Sequence, residues 1–269
     1  MSTQQPTAPA AAIRIAPLHT LDEFQSCVDL QLAVWAYSDG DAVPRRMFLL
    51  ADRIGGQVIG AIDDSQGGKL VGFAMALPGY RNRRPYLHSH MLAVLPAYRN
   101  YGLGRRLKLV QRDDALARGI QLMEWTFDPL EIKNAHLNIA RLGVICRHYQ
   151  PDFYGPSSSP LQGGLPTDRL YAEWWLDSPR VQRYMADEAI PHETDPVIEE
   201  VLVPHAIHEW KRDPTLRKRA LEVQRANREA LQSAFSRGLA VVGYRRESNG
   251  DGRYLLSRLN PSEIQPSQD

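Results

Sequence analysis

Ile13 and Ile15 alternate about Arg14, the two-residue period of a short strand. Thr20-Leu21-Asp22-Glu23 is a capping-box pattern that opens a helix, and Phe24, Cys27, Val28 and Leu32 then recur at helical spacing. The stretch 35–41 breaks that helix. Pro44 starts a second, short one through Met47 and Leu50, ended by Gly55-Gly56. Two apolar runs, 57–62 and 70–77, flank Asp63-Asp64-Ser65-Gln66-Gly67-Gly68 and form a hairpin signature. Pro78 to Pro85, with Arg81, Arg83 and Arg84, is expected to be a basic loop leading into a long apolar strand that runs from His88 to Leu95.

A helix is predicted over about 102–117, stopped by Gly119, followed by a strand over 120–127 and a helical pattern over about 131–149. Pro151 to Gly164 is an irregular connector, and 169–176 is an aromatic-rich strand. The last third holds a strand candidate at 197–203 and a long amphipathic helix with Asp213 as N-cap and Pro214 at the first helical position. Its apolar stripe is Leu216, Ala220, Val223, Ala230, Leu231, Ala234 and Phe235, and Gly238 closes it. A hairpin over 239–244 and 254–256 turns through Asn249-Gly250-Asp251-Gly252. This order predicts an α+β fold, a mixed and mostly antiparallel sheet flanked by helices, with a C-terminal α/β extension. A doubly wound fold is excluded, because the glycine turn follows the fourth strand and not the first.

Composition narrows the function classes. With 269 residues, 43% hydrophobic and 23% charged, the chain has ample core. A net charge of +1 gives no global attraction to nucleic acid or anionic membrane, so any anion site is local. Cys27 and Cys146 each sit alone in an apolar pattern, which argues against a disulfide, and no metal-ligand spacing is present. No apolar run is long enough for a membrane span, and residues 1–12 read as a disordered tail without the features of a signal peptide. The expectation is a cytoplasmic protein without metal.

The chemistry concentrates in Arg99-Asn100-Tyr101-Gly102-Leu103-Gly104-Arg105, at a strand-to-helix junction. Glycines at Gly102 and Gly104 let successive N–H groups face a diphosphate, and Arg99, Arg105 and Arg106 add positive charge. Neither a Walker nor a Rossmann pattern is present. On spacing alone, a helix that simply starts at a glycine fits equally well.

The pattern Val94-x-Pro96-x-x-Arg99-x-x-Gly102-x-Gly104 resembles the acetyl-CoA signature of the GNAT N-acetyltransferases, and the element order over roughly 13–176 is similar to theirs. The resemblance implies that the backbone of Leu92, Ala93 and Val94 pairs with the pantetheine arm of acetyl-CoA. It also implies that the N–H groups from Asn100 to Arg105 hold the pyrophosphate, and that Asn134 and Asn138 hydrogen-bond the pantetheine. His88-x-His90-x-Leu92-Ala93-Val94 is similar to the serotonin N-acetyltransferase branch, in which paired histidines serve as bases.

Independently, residues two apart on a strand share a face, so His88 and His90 are expected on one side with Leu92 and Val94 continuing it. An imidazole titrates where a proton acceptor for an amine is useful, although two core histidines fit the same pattern. The family's proton-donating tyrosine precedes a Gly-Phe pair. Here the landmark reads Arg141-Leu142-Gly143-Val144, which puts Ile139 in that place; Tyr149 and Tyr154 just beyond are the substitutes, or simply packed aromatics.

The domain reading is a tail over 1–12, an acyl-CoA-binding domain over 13–177, an extension over 178–260 packed on or completing the same sheet, and a loose tail over 261–269. The expected activity is transfer of an acetyl or short acyl group from CoA to a small-molecule or peptide amine by a monomer or homodimer, with no nucleic acid or membrane partner. The alternative is a non-catalytic acyl-CoA-binding module.

Overall fold

The computed structural model describes residues 12–36, 41–157, 159–186 and 196–264. The tail expected at the N-terminus lies outside these apart from Ala12, as do most of the 35–41 break, the acidic residues 187–193 and the chain past 264. The chain divides into two compact units, Met1–Ile120 and Gln121–Asp269.

The first unit is a four-stranded antiparallel meander: β1 (Ile13–Pro17), β2 (Gln57–Asp63), β3 (Lys69–Arg81) and β4 (Arg84–Val94). Between β1 and β2 lie α1 (Leu21–Trp35) and α2 (Arg45–Arg53), and α3 (Leu103–Ala117) follows β4. The capping box forms as predicted: Thr20 accepts from the Glu23 amide, and the Glu23 carboxylate accepts from the Thr20 amide. Helices α1 and α2 bury Phe24, Cys27 and Phe48 against Phe73, Met75 and Met91 on one sheet face. Helix α3 buries Leu103 and Leu107 against Ile59, Val71 and Ala74 on the other. Each fully buried large apolar side chain contributes roughly 1.5–3 kcal/mol, so these two layers fix where β4 and α3 lie.

Residues 78–85 are not a loop. β3 and β4 pair to the tip, with Pro78 opposite Leu87 and Arg81 opposite Arg84. Asn82 (φ 51°) and Arg83 (φ 62°) turn the chain in the left-handed region, as a two-residue hairpin turn needs. The prolines read as strand breakers, but each is accommodated within the ladder near the hairpin end.

In the second unit β5 (Leu122–Phe127) pairs with β7 (Arg169–Trp175), which pairs with β6 (Tyr149–Gln150), all antiparallel. The helix predicted over 131–149 is much shorter. One α-turn, α4 (Ile132–Ala135), runs on as a π-turn over His136–Arg141 and stops where Gly143 enters the left-handed region at φ 75°. The apolar residues beyond serve extended backbone: Ile145 bridges Glu173 and Cys146 bridges Val241.

Helix α5 (Pro179–Met185), β8 (Glu199–Val203), α6 (Ile207–Arg212), α7 (Arg217–Ser236), β9 (Leu239–Arg246) and β10 (Gly252–Arg258) complete the unit. β8, β10 and β9 form a sheet of their own in that order, so the final hairpin extends a second sheet and not the first. Asp213 does not cap the long helix. It ends α6 and accepts from the Thr215 amide and hydroxyl, so α7 begins at Arg217. The buried face of α7 is Ala220, Gln224, Asn227, Leu231 and Ala234, more polar than the predicted stripe. The fold class is the one predicted, α+β with mostly antiparallel pairing, flanking helices and a C-terminal extension.

Candidate functional site

The glycine turn builds an anion cradle. Asn100 (φ 71°) and Gly102 (φ 70°) are both left-handed, and Gly102 is the N-cap of α3. The first amide to bond back along the helix is that of Arg106, to the Gly102 carbonyl at 3.1 Å. The amides of Leu103 and Gly104 precede it and have no acceptor one turn back in the helix, and the Gly102 N-cap supplies no side-chain capping bond. A Cβ built on Gly102 would meet no heavy atom within 4 Å, so the cradle opens outward. Arg99, Asn100 and Tyr101 are exposed beside it. The loop is held from below by Tyr98, whose hydroxyl donates to Asp63 at 2.8 Å. Hydrogen bonds from Ser65 and Tyr98 keep that carboxyl below its usual range. Arg106 is used otherwise, donating to the Ile13 carbonyl at 2.6 Å. Convergent amides at the N-terminus of a fifteen-residue helix, with arginines beside them, fit a pyrophosphate.

Strand β4 carries the histidines with a departure from simple alternation. Met91 pairs with Met75 and Ser89 with Ala76, which leaves His90 as an extra residue, a β-bulge. The bulge reverses the parity of the strand. His88, opposite Leu77, lies on the α1–α2 face, and the two imidazoles stay neighbours, with ring centroids 6.2 Å apart. Leu92 and Val94 pack instead with the α3-side cluster, so they do not continue the histidine face as expected. Burial, and then the nearby His90 and Lys108, pushes the His88 pKa down to about 4. Its imidazole is consequently neutral at physiological pH.

On the opposite face, Ser89 enters a buried polar layer that the sequence reading missed. Lys108 of α3, 3% exposed, donates to the Ser89 hydroxyl at 2.7 Å, and Ser89 donates to Gln111 at 3.1 Å. Gln57 of β2 donates to the Gln111 carbonyl at 2.8 Å and to Asp114 at 2.6 Å. Burial holds the Lys108 ammonium well below its ordinary pKa. The available signal was Lys108 beside Leu107, on the stripe that also buries Leu103, Gln111 and Ala115.

The remaining candidates lie in the second unit. Asn138 is buried and donates to Asn134 at 3.3 Å, while Asn134 is exposed. The Tyr149 hydroxyl is committed: it donates at 2.5 Å to Asp168, a fully buried carboxylate that also accepts from Nη2 and Nε of Arg228, at 2.7 and 2.8 Å. Burial and that carboxylate raise the Tyr149 pKa. Tyr154 is 50% exposed, its hydroxyl 3.2 Å from the Thr126 hydroxyl and its ring under Arg169 at 5.2 Å. Ile139, in the place of the family tyrosine, is fully buried.

An uncapped helix start behind two left-handed residues, reached from a bulged strand, is an arrangement that suits a phosphate-bearing ligand. Residues 23–137 match the sequence model of the acetyltransferase (GNAT) family. No curated protein matches the sequence. Similar solved structures include the NatC complex bound to Gag peptide and CoA, at 19% identity over 60% of this chain and 96% of that one, with a TM-score of 0.49. The ribosomal-protein-S18-alanine N-acetyltransferase of Escherichia coli is similar at 17% identity over 60% and 92%, with a TM-score of 0.47. A mosquito arylalkylamine N-acetyltransferase-like protein is similar at 18% identity over 60% and 98%, with a TM-score of 0.45.

Proposed function

We propose that the protein transfers an acetyl or short acyl group from CoA directly to the amine of a small molecule or peptide, with His88 as the proton acceptor and His90 assisting. The observation that carries the CoA part is the uncapped start of α3 at Leu103 and Gly104, behind the left-handed Asn100 and Gly102. Bound acetyl-CoA supplies the thioester, with Leu92 to Val94, Asn134 and Asn138 assigned to its pantetheine arm. A neutral amine attacks the thioester carbonyl, the C–N bond forms, and the C–S bond breaks. The proton leaving the amine passes to the imidazole of His88 and on to water, and the thiolate takes a proton in exchange.

Support for His88 is its neutral form and its contact with a second imidazole. Its low pKa makes it a weak base, suited to a proton already leaving the amine rather than to deprotonating an ammonium ion. Of the two tyrosines, Tyr154 is half exposed while the Tyr149 hydroxyl is held by Asp168, so Tyr154 is the one assigned to the thiolate. The buried free thiols of Cys27 and Cys146 accord with a reducing, cytoplasmic setting. Among the described residues no helix is long and apolar enough to cross a membrane.

A second reading, a non-catalytic acyl-CoA module, is favoured by the buried Ile139 in the tyrosine position. Incubation with acetyl-CoA and pooled amines, followed by free-thiol detection, separates them. Acceptor-dependent thiol release supports the transferase; stabilisation by CoA with no such release supports the module. If His88→Ala and His90→Ala both leave kcat/KM and its pH profile unchanged, the base assignment is wrong.

A further inference from the structure

We infer that Lys211, on α6 of the C-terminal extension, is a positioning residue for the pantetheine arm of acyl-CoA, holding the β5–α4 turn so that Asn134 is presented to that arm. This rests on the proposed acyl-CoA binding and adds a residue to the same site.

The turn is Asp128-Pro129-Leu130-Glu131, between the end of β5 and the start of α4. Its internal bonds are local: the Leu130 amide donates to the Asp128 carboxylate at 2.8 Å, and the Glu131 amide to the Asp128 carbonyl at 3.1 Å. Glu131 is the N-cap of α4, and its carbonyl accepts from the amides of Asn134 and Ala135 at 3.0 and 2.9 Å. The placement of Glu131 therefore sets the direction of α4, and with it Asn134. That side chain is exposed and is steadied by the buried Asn138, which donates to it at 3.3 Å. A four-residue helix is too short to hold such an orientation by itself.

Lys211 supplies the outside support. Its ammonium, on a side chain 4% exposed, donates at 2.8 Å to Asp128 Oδ2 and at 2.8 Å to Glu131 Oε1, one at each end of the turn. A buried cation shared by two carboxylates tolerates little displacement, because moving either acid leaves charge uncompensated. Burial would lower the Lys211 pKa, but the two carboxylates outweigh it and raise it, so the ammonium stays charged. His208, one turn earlier on α6, faces Glu131 at 4.0 Å, and the charge of Arg169 also acts on Asp128. The seat of Lys211 is itself fixed: a Cβ on Gly163 would lie 2.3 Å from the Lys211 carbonyl, so the connector packs directly on the α6 backbone. From β10, the Tyr254 hydroxyl donates to the Pro129 carbonyl at 2.7 Å. The extension thus grips Asp128, Pro129 and Glu131, all but one residue of the turn.

The test is isothermal titration of the full chain with two ligands, acetyl-CoA and 3′-phosphoadenosine 5′-diphosphate, which has the same nucleotide and no pantetheine arm. Lys211→Met should weaken acetyl-CoA by about tenfold and leave the nucleotide unchanged, and Lys211→Arg, which keeps the cation, should restore most of the loss. Asn134→Ala should weaken acetyl-CoA as well, and Lys211→Met/Asn134→Ala should lose no more than the worse single variant, because both changes remove one contact. An unchanged acetyl-CoA Kd in folded Lys211→Met overturns the inference, as does an equal loss for both ligands or a fully additive double variant. If Lys211→Met shows no cooperative thermal transition, Glu131→Gln decides: a loss of about threefold or more confined to acetyl-CoA upholds the inference, and no loss overturns it. A parent that binds neither ligand fails the acyl-CoA reading and this inference together, whereas a parent that binds both with unshifted variants fails this inference alone.

Discussion

Helix α3 begins and ends on a glycine in nearly the same conformation, Gly102 at φ 70° and Gly119 at φ 72°, and a Cβ at either would meet no heavy atom within 4 Å. Alanine at each position therefore adds backbone strain and no clash. The left-handed penalty is about 1–2 kcal/mol for a residue with a Cβ. At roughly 2–4 °C per kcal/mol for a domain of this size, Gly102→Ala and Gly119→Ala should lower Tm by similar amounts. They should part company on the ligand. Gly102→Ala places its methyl on the cap residue that precedes the Leu103 and Gly104 amides, where the pyrophosphate is proposed to lie, and Gly119→Ala places one at the far end of the helix. Isothermal titration of acetyl-CoA should show a Kd weakened by about tenfold, or ~1.4 kcal/mol, for Gly102→Ala and unchanged for Gly119→Ala. Equal affinities in the two variants would refute the cradle, since the shared strain would then account for everything.

The pH response of stability should carry the mark of His88. Its folded pKa near 4 lies below the unfolded value, so the unfolded chain binds more protons between about pH 6.5 and 4, and stability present above 6.5 is lost as pH falls through that window. Urea midpoints at pH 7.5 and 5 should diverge less in His88→Gln than in the parent. For activity, an acid limb above pH 7 reports the acceptor amine and not His88, and should persist at the same pH in His90→Ala. Asp168→Ala should destabilise the second unit by on the order of 3–5 kcal/mol, because it strands the Arg228 guanidinium and the Tyr149 hydroxyl; differential scanning calorimetry checks this. Tyr149→Phe should lower Tm with kcat kept, and Tyr154→Phe should lower kcat with Tm kept. The opposite pattern would reassign the proton donor.

The first unit was largely legible because its signals are local. The Thr20–Glu23 box, the turn at 63–68 and the glycines flanking α3 each depend on neighbours a few residues away. The same locality explains the errors. Period-two counting through His88, His90, Leu92 and Val94 has no means of detecting a bulge, which is a property of two strands in register. The helix predicted over 131–149 failed because Leu142 to Cys146 is apolar at every position and fits extended backbone as well as helix; Gly143 decided it. Asp213-Pro214 carries a sound helix-start signature, yet the Asp213 carboxylate is taken by Thr215. The Lys108–Ser89–Gln111–Gln57 layer joins residues from three elements, and nothing in any one segment announces it.

The bulge also changes what a mutation of the histidine strand would mean. Met75–Met91 and Ala76–Ser89 are consecutive rungs of the β3–β4 ladder, and His90 stands between them without a rung of its own. Loss of that single codon would leave every pairing of β4 with β3 intact and remove only an imidazole and a bend. Replacement of His88, by contrast, alters a paired position whose neighbours are packed. The second histidine is thus a detachable addition to a complete strand. Lineages could gain or lose it by a one-residue insertion or deletion that substitution scanning would never sample.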